Sequence, residues 1–264
     1  MRHVPRKRFG QNFLADAGVI ADIIAAIAPQ PADRMIEIGP GLGALTRPLA
    51  ARLDHLHVIE IDRDIVVRLK REFPPERVTI HQGDALKFDF FVLSPRLRIV
   101  GNLPYNISTA ILFHLAEHAA TIRDIHVMLQ KEVVARMVAR PSSSDYGRLS
   151  VMLQYRFQME KILAVPATAF RPTPKVESAV VRILPLERPS GEACDEALLA
   201  NLVASAFAQR RKTLRNTLRN FLEDADFAAL GVAPEARAQE LAVADFMRVA
   251  NYVATKRAAS APAP

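Results

Sequence analysis

The stretch Ile36-Glu37-Ile38-Gly39-Pro40-Gly41-Leu42-Gly43-Ala44-Leu45-Thr46 decides the fold. An apolar run enters a glycine turn, and a helical pattern leaves it near Ala44. Glycines permit the tight turn and let a ligand approach backbone N–H groups at a helix N-terminus. A second apolar run, His57-Val58-Ile59-Glu60-Ile61-Asp62, brings up Glu60, 21 residues after Gly39. A carboxylate at the tip of a second strand is placed to accept hydrogen bonds from two ribose hydroxyls. The two strands together describe an adenosine-binding α/β sheet. Gly39-x-Gly41-x-x-Ala44 also satisfies the dinucleotide pattern, so the loop by itself leaves a nicotinamide dinucleotide open.

Working outward, short apolar runs alternate with helical patterns over the first ~180 residues, as in a parallel α/β sheet. The spacing predicts strands at Met35–Ile38, His57–Ile61, Val78–Ile80, Leu97–Val100, Ile125–Gln130, Val151–Phe157 and Ala179–Leu184. Asp16 is placed to cap a helix whose Val19, Ile20, Ile23, Ile24 and Ile27 share one face. Crossover helices are expected around Leu45, Leu49 and Leu53, around Ile65, Val66, Leu69 and Phe73, and around Ile107, Ile111, Leu112 and Leu115. Ala139–Gly147 reads as an exposed loop. After Leu186 no strand pattern follows, and the rest is rich in Ala and Leu at helical spacing. The expected organisation is a domain over 1–186 and a small all-helical domain over 187–264, with Ala258–Pro264 a disordered tail.

The third and fourth strands carry the chemistry. Gly83-Asp84-Ala85 puts a second acidic side chain on the same sheet edge, able to accept from an adenine amino group or to cap a helix. Asn102-Leu103-Pro104-Tyr105 has the form of the motif used by methyltransferases that act on exocyclic amines of nucleic acids. An adenine N6 amine is a poor nucleophile because its lone pair is delocalised into the ring. An Asn carbonyl and a backbone carbonyl accepting its two N–H groups turn that lone pair toward an electrophile. Pro104 fixes the backbone after Leu103, and Tyr105 offers a stacking face for a base turned into the pocket. The electrophile that fits is the sulfonium methyl of S-adenosylmethionine. Positioning supplies much of the rate, and the methylated amine loses its proton to water.

Composition narrows the partners. The chain has 264 residues, half of them apolar, with a net charge of +7, which favours a globular protein that meets a polyanion. A single cysteine, Cys194, excludes a disulfide framework. No apolar run approaches the ~20 residues that span a bilayer, and the basic N-terminus lacks the apolar stretch of a secretory signal, so a cytoplasmic protein is expected. Arg2, Arg6, Lys7 and Arg8 form one basic cluster. Arg211, Arg215 and Arg219, at i, i+4 and i+8 with Lys212 beside them, predict a helix with a phosphate-tracking stripe. His114-x-x-Glu117-His118 fits a zinc-peptidase pattern, but no further ligand can be nominated from the sequence, and no metal is expected.

With these motifs in place, the chain resembles the KsgA family of small-subunit ribosomal RNA adenine dimethyltransferases. The likeness rests on Phe9–Leu14, Glu37–Thr46, Glu60–Asp62, Gly83–Ala85, Asn102–Tyr105, Gln130–Val133, Tyr146–Ser150 and Ala169–Ser178, and covers nearly the whole chain. The resemblance implies a Rossmann-like class I methyltransferase sheet, mostly parallel and seven-stranded. It implies two methyl transfers to N6 of each of two adjacent adenosines near the 3′ end of 16S rRNA, in an immature small subunit. It further implies S-adenosylmethionine contacts from Asn12, Leu14, Gly39, Glu60, Asp84 and Asn102, and Phe170 stacking on the target adenine opposite Tyr105. A monomer is expected. A sister family that methylates large-subunit RNA is less similar in the Gly-Pro-Gly loop and in Pro172–Val176. A non-catalytic RNA-binding assembly factor and a nicotinamide-dependent oxidoreductase are the competing classes; the latter leaves Asn102–Tyr105 without a role.

Overall fold

The computed structural model describes residues 12–187 and 195–260. In chain order the elements are β1 (Phe13–Leu14), α1 (Ala17–Ile27), β2 (Met35–Ile38), α2 (Thr46–Ala50), β3 (Leu56–Glu60), α3 (Arg63–Glu72) and β4 (Val78–Gln82). Then come β5 (Leu97–Asn102), α4 (Ser108–Glu117), β6 (Ile122–Gln130), α5 (Lys131–Met137), α6 (Arg148–Gln154), β7 (Phe157–Val165), β8 (Phe170–Arg171) and β9 (Ser178–Pro185). Helices α7 (Glu196–Phe207), α8 (Leu214–Thr217), α9 (Asp224–Leu230) and α10 (Val243–Ser260) complete the chain. No helix of the described residues is long and apolar enough to cross a membrane.

Local chemistry explains these elements. The Asp16 carboxylate accepts from the Val19 N–H at 3.0 Å and starts α1, whose Ile23, Ile24 and Ile27 are buried. All four residues of β2 are buried, as a strand covered on both faces requires. Burial of each large aliphatic side chain contributes about 1.5–3 kcal/mol. Buried Arg98 on β5 reaches Asp33 at 2.6 Å, Asp124 at 3.0 Å and the Ile27 carbonyl at 2.6 Å, tying β5 to β6 and to the end of α1.

The main sheet has the order β4-β3-β2-β5-β6-β9-β7. Its first five strands are parallel, and β9 runs antiparallel to β6. The seven-stranded, mostly parallel sheet expected from the sequence is thus present. Strand order reverses between β2 and β5, and at such a switch the loops leave in opposite directions and open a crevice beyond the carboxyl ends. Gly39 follows β2 and Asn102 ends β5, so the two decisive motifs face each other across it. A separate two-stranded ribbon pairs β1 with β8, Leu14 opposite Phe170.

The chain divides into two compact units, one of residues up to Val134 plus Gln158–Pro185, the other of Ala135–Phe157 plus residues from Leu186. The chain returns to the second unit at Leu186, and Ala135–Phe157, expected within a domain over 1–186, belongs to that unit and not to the first. Its core gathers Tyr146, Val151 and Tyr155 with Leu199, Leu202 and Phe246.

Three expectations need correction. Val151–Phe157 is not a strand: α6 covers Arg148–Gln154, and the strand is β7, from Phe157. The alternation at Val151, Leu153, Tyr155 and Phe157 mimics a strand, but Ser150 accepts from the Gly147 N–H at 3.1 Å and starts a helix. The helix expected through Arg211, Arg215 and Arg219 is broken. Helix α7 stops at Phe207 and only Leu214–Thr217 resumes, because the Leu214 and Arg215 N–H groups donate to the carbonyls of Ala236 and Pro234. Ala258–Ser260, expected in a disordered tail, extend α10. The cluster Arg2, Arg6, Lys7 and Arg8, Cys194 and residues 261–264 lie outside the described residues.

Candidate active site

The crevice at the strand switch is a cavity of about 240 Å³ in the first unit. Its walls come from every motif singled out along the sheet edge: Asn12–Leu14, the glycine loop, Glu60, Asp84 and Asn102–Tyr105. Gly41 shows why the loop is built of glycine. Its φ is +54°, and a Cβ there would lie 3.1 Å from the Phe13 ring, which packs over the turn. Arg47, on α2, donates to the carbonyls of Leu42 at 2.8 Å and Gly43 at 3.1 Å and holds the loop on its helix.

Three carboxylates line the cavity. Glu60 ends β3 almost fully buried, accepting from the Asp62 N–H at 2.9 Å and, more weakly, from the Gly41 N–H at 3.3 Å. Burial raises its pKa, and those backbone bonds oppose the rise. Glu37, inside β2, is more deeply buried and accepts from the Thr46 hydroxyl at 2.7 Å. Burial above all pushes its carboxyl up to about 7. Asp84 follows β4 and caps the turn beginning at Ala85, accepting from the Leu86 N–H at 3.0 Å. The cap and the cleft position coexist in one side chain. Among the described residues, no Lys, Arg or His lines the cavity. A pyrophosphate would meet the Glu60 and Asp84 carboxylates and, among the described residues, no cation, whereas a ligand carrying positive charge is matched. Beside Glu60, Ile61 is 48% exposed and offers the apolar face an adenine ring needs.

Asn102 occupies the last position of β5. Its Nδ2 donates to the Asn12 carbonyl at 3.1 Å, which fixes the amide and leaves Oδ1 as the acceptor. Leu103 turns its side chain into the core, 1% exposed, and its N–H donates to the Met128 carbonyl at 3.1 Å. It therefore acts through its main chain. The Pro104 carbonyl accepts from the Ile107 N–H and closes the turn that leads into α4. Tyr105 shares a 2.6 Å hydrogen bond with the hydroxyl of buried Ser178, which orients the ring. Burial raises the Tyr105 pKa, so the phenol stays neutral.

The structure brings Asn12, Leu14, Gly39, Glu60, Asp84 and Asn102–Tyr105 to one cleft, and it does not bring Phe170 there. Phe170 is fully buried, packed in the core that includes Leu14, Val100, Met128 and Val165. The reason is its pairing: as the residue opposite Leu14 in the β1–β8 ribbon, it points inward. It secures the strand that carries Asn12–Leu14 and offers no ring to a base. Arg211, Lys212, Arg215 and Arg219 are exposed in the second unit, and Arg215 is already paired with Asp224 at 3.0 Å and Glu235 at 3.3 Å. Sequence reasoning gave no role to Glu37, Ile61, Phe13 or Leu86, all of which line the cleft. An acid inside the apolar run Met35–Ile38 was the signal for Glu37.

A family model described as ribosomal RNA adenine dimethylase matches residues 2–255. The chain is 62% identical, over 254 residues and 96% of both chains, to ribosomal RNA small subunit methyltransferase A of Aromatoleum aromaticum. Among solved structures it is similar to a dimethyladenosine transferase from Plasmodium falciparum, with a TM-score of 0.80 and 26% identity over 93% of this chain and 98% of that one. It is also similar to the 23S rRNA methyltransferase ErmE, with a TM-score of 0.72 and 26% identity over 92% and 100%.

Proposed function

The chain belongs to the ribosomal RNA adenine dimethylase family, and from that premise we propose that its cleft holds S-adenosylmethionine against the amino group of a target adenosine. Dimethylation of adenosines in 16S rRNA is the activity of this family and of this chain. The observation that carries the cofactor reading is the composition of the cleft: the Glu60 and Asp84 carboxylates, an apolar wall at Ile61 and, among the described residues, no cation. That set suits a ligand with an adenosine, a sulfonium and an ammonium group.

Each residue then has a task. Glu60 accepts from the ribose hydroxyls and Asp84 from the adenine amino group. The glycine loop and Asn12–Leu14 enclose the rest of the cofactor, which supplies an electrophilic methyl group when bound. Asn102 holds the amine of the target base through Oδ1, with the main chain of Leu103 and Pro104 as the second acceptor. Tyr105, fixed by Ser178, stacks on the base. The substrate form is an immature small subunit, met by a cytoplasmic monomer with Arg211 and Lys212 on phosphates.

Mapping the adenines of small-subunit rRNA that gain methyl groups tests the reading. Transfer from labelled cofactor to two adjacent adenosines is expected with immature subunits. Asn102→Ala should lose transfer at saturating cofactor by two orders of magnitude or more, about 3 kcal/mol of transition-state stabilisation. Full transfer by that variant, or calorimetric binding of NAD in preference to S-adenosylmethionine, overturns it.

A further inference from the structure

Away from the cleft, the C-terminal end of α4 meets the turn that follows β4. His114 donates from Nε2 to the Phe88 carbonyl at 2.9 Å. Its Nδ1 lies 3.4 Å from Glu117 Oε2, a gap that a proton on the ring nitrogen or a metal ion bridges. His118 repeats the arrangement. Its Nδ1 donates to the His114 carbonyl at 3.0 Å, and its Nε2 lies 3.5 Å from Asp89 Oδ1. Two imidazole nitrogens thus each face a carboxylate oxygen, while the other nitrogen of each ring meets a backbone carbonyl.

We propose that His114, Glu117 and His118, joined by Asp89, form a binding site for one divalent transition-metal ion of the zinc type. A divalent cation at this point takes the place of any proton between these nitrogens and carboxylates and gains four ligands. Imidazole nitrogens with carboxylate oxygens are a donor set for zinc and its neighbours, and not for calcium or magnesium. The second shell is in place: each imidazole gives its other N–H to a backbone carbonyl, the arrangement that fixes tautomer and ring orientation in metal sites. Ligand atoms of His114, Glu117 and His118 lie within 4.8 Å of one another. Ligands on a tetrahedral ion with bonds of ~2 Å lie about 3.3 Å apart, so the cluster must contract. The groups free to move are the right ones. The Glu117 and Asp89 side chains are 75% and 61% exposed, whereas those of His114 and His118 are 17% and 9% exposed. The bound ion would clamp the turn at Asp89 to α4, the helix that leaves the Asn102–Tyr105 motif.

The test uses the full-length, untagged chain stripped with chelator and titrated with zinc chloride alone, by calorimetry and by competition with a chromophoric chelator. One equivalent is expected to bind and to raise the melting temperature. Cobalt substitution should give the visible absorption of a four-coordinate ion. Asp89→Asn keeps an acceptor for the Phe91 N–H and Glu117→Gln changes an exposed group, and each should weaken metal binding roughly tenfold or more. The triple variant adding His118→Gln should lose the cobalt spectrum while keeping methyl transfer, which reports that the chain is still folded. Absence of stoichiometric binding overturns the proposal. So does binding that persists unchanged in the triple variant, which would move the ion to the His57–His81 pair, whose ring nitrogens are 3.1 Å apart.

Discussion

Replacing Gly101 by alanine should damage the fold and the chemistry together. Gly101 lies opposite Ile38 where β5 pairs with β2. A Cβ at Gly101 would fall well inside 3.0 Å of the Ile38 carbonyl oxygen and 3.3 Å from that residue's carbonyl carbon and nitrogen. These are backbone atoms in the middle of a sheet and cannot swing aside. Ordinary van der Waals contact begins at 3.4 Å, so the two strands must part by more than 3.4 − 3.0 = 0.4 Å. Overpacking of this kind costs about 1–3 kcal/mol. The parting opens between Gly39 and Asn102, the two walls of the cleft, and a displacement approaching 1 Å costs up to about 10²-fold in rate. Expected values are therefore about 2 kcal/mol of stability and a 10- to 100-fold lower kcat/KM, the latter by the order of magnitude of lost positioning. Urea denaturation at unchanged m and methyl transfer to 16S rRNA measure the two. Gly83→Ala is the control, because a Cβ there meets nothing within 4 Å, and it should stay within about 0.5 kcal/mol of the parent. A Gly101→Ala protein as stable and active as the Gly83→Ala one would refute the reasoning.

Other expectations follow from the same geometry. Glu37, with its carboxyl at about 7, keeps a proton in the folded chain that the unfolded chain has already released, so stability falls as pH rises from 4.5 to about 7. That window is worth about 3 kcal/mol, and Glu37→Gln, which still accepts from Thr46, should flatten it in urea midpoints compared at about pH 5 and about pH 8. The double variant Arg211→Ala, Lys212→Ala should lower the slope of log affinity for RNA against log salt by about 1.4 to 1.8, whereas Arg215→Ala, whose charge is already paired, should change it less. Phe170→Ala should cost about 3–5 kcal/mol as a core deletion. Phe170→Leu, which keeps most of the volume, should retain transfer; loss of transfer at normal stability would restore Phe170 as a base platform.

The legible part of the molecule is what strand ends dictate. Glycines after β2, Glu60 at the tip of β3, Asp84 after β4 and Asn102 at the end of β5 sit at one edge because parallel strands bring all their carboxyl ends to the same side. Once the alternation of apolar runs and helices is read, the convergence of those four motifs needs no further information. Helix α1 was equally legible, because its cap and its apolar face are both local. The break after α7 was not, since the carbonyls of Pro234 and Ala236 that displace helical bonding belong to a loop distant in sequence.

Phe170 shows the same limit at the site. A buried ring in a core and a ring held out for a base both sit between turn residues in sequence, and both use an aromatic. What separates them is the partner of the backbone. Phe13–Leu14 pairs with Phe170–Arg171, and the Ala15 N–H donates to the Ala169 carbonyl at 2.8 Å. Pairing of that kind sets which face a side chain takes, since a shift of one residue would turn Phe170 outward and Arg171 inward. In the observed register, Phe170 anchors the strand whose neighbour Asn12 accepts from the Asn102 amide. The link from Phe170 to the reacting amine therefore runs through backbone: core ring, ribbon, Asn12 carbonyl, and the amide that leaves Oδ1 turned to the substrate.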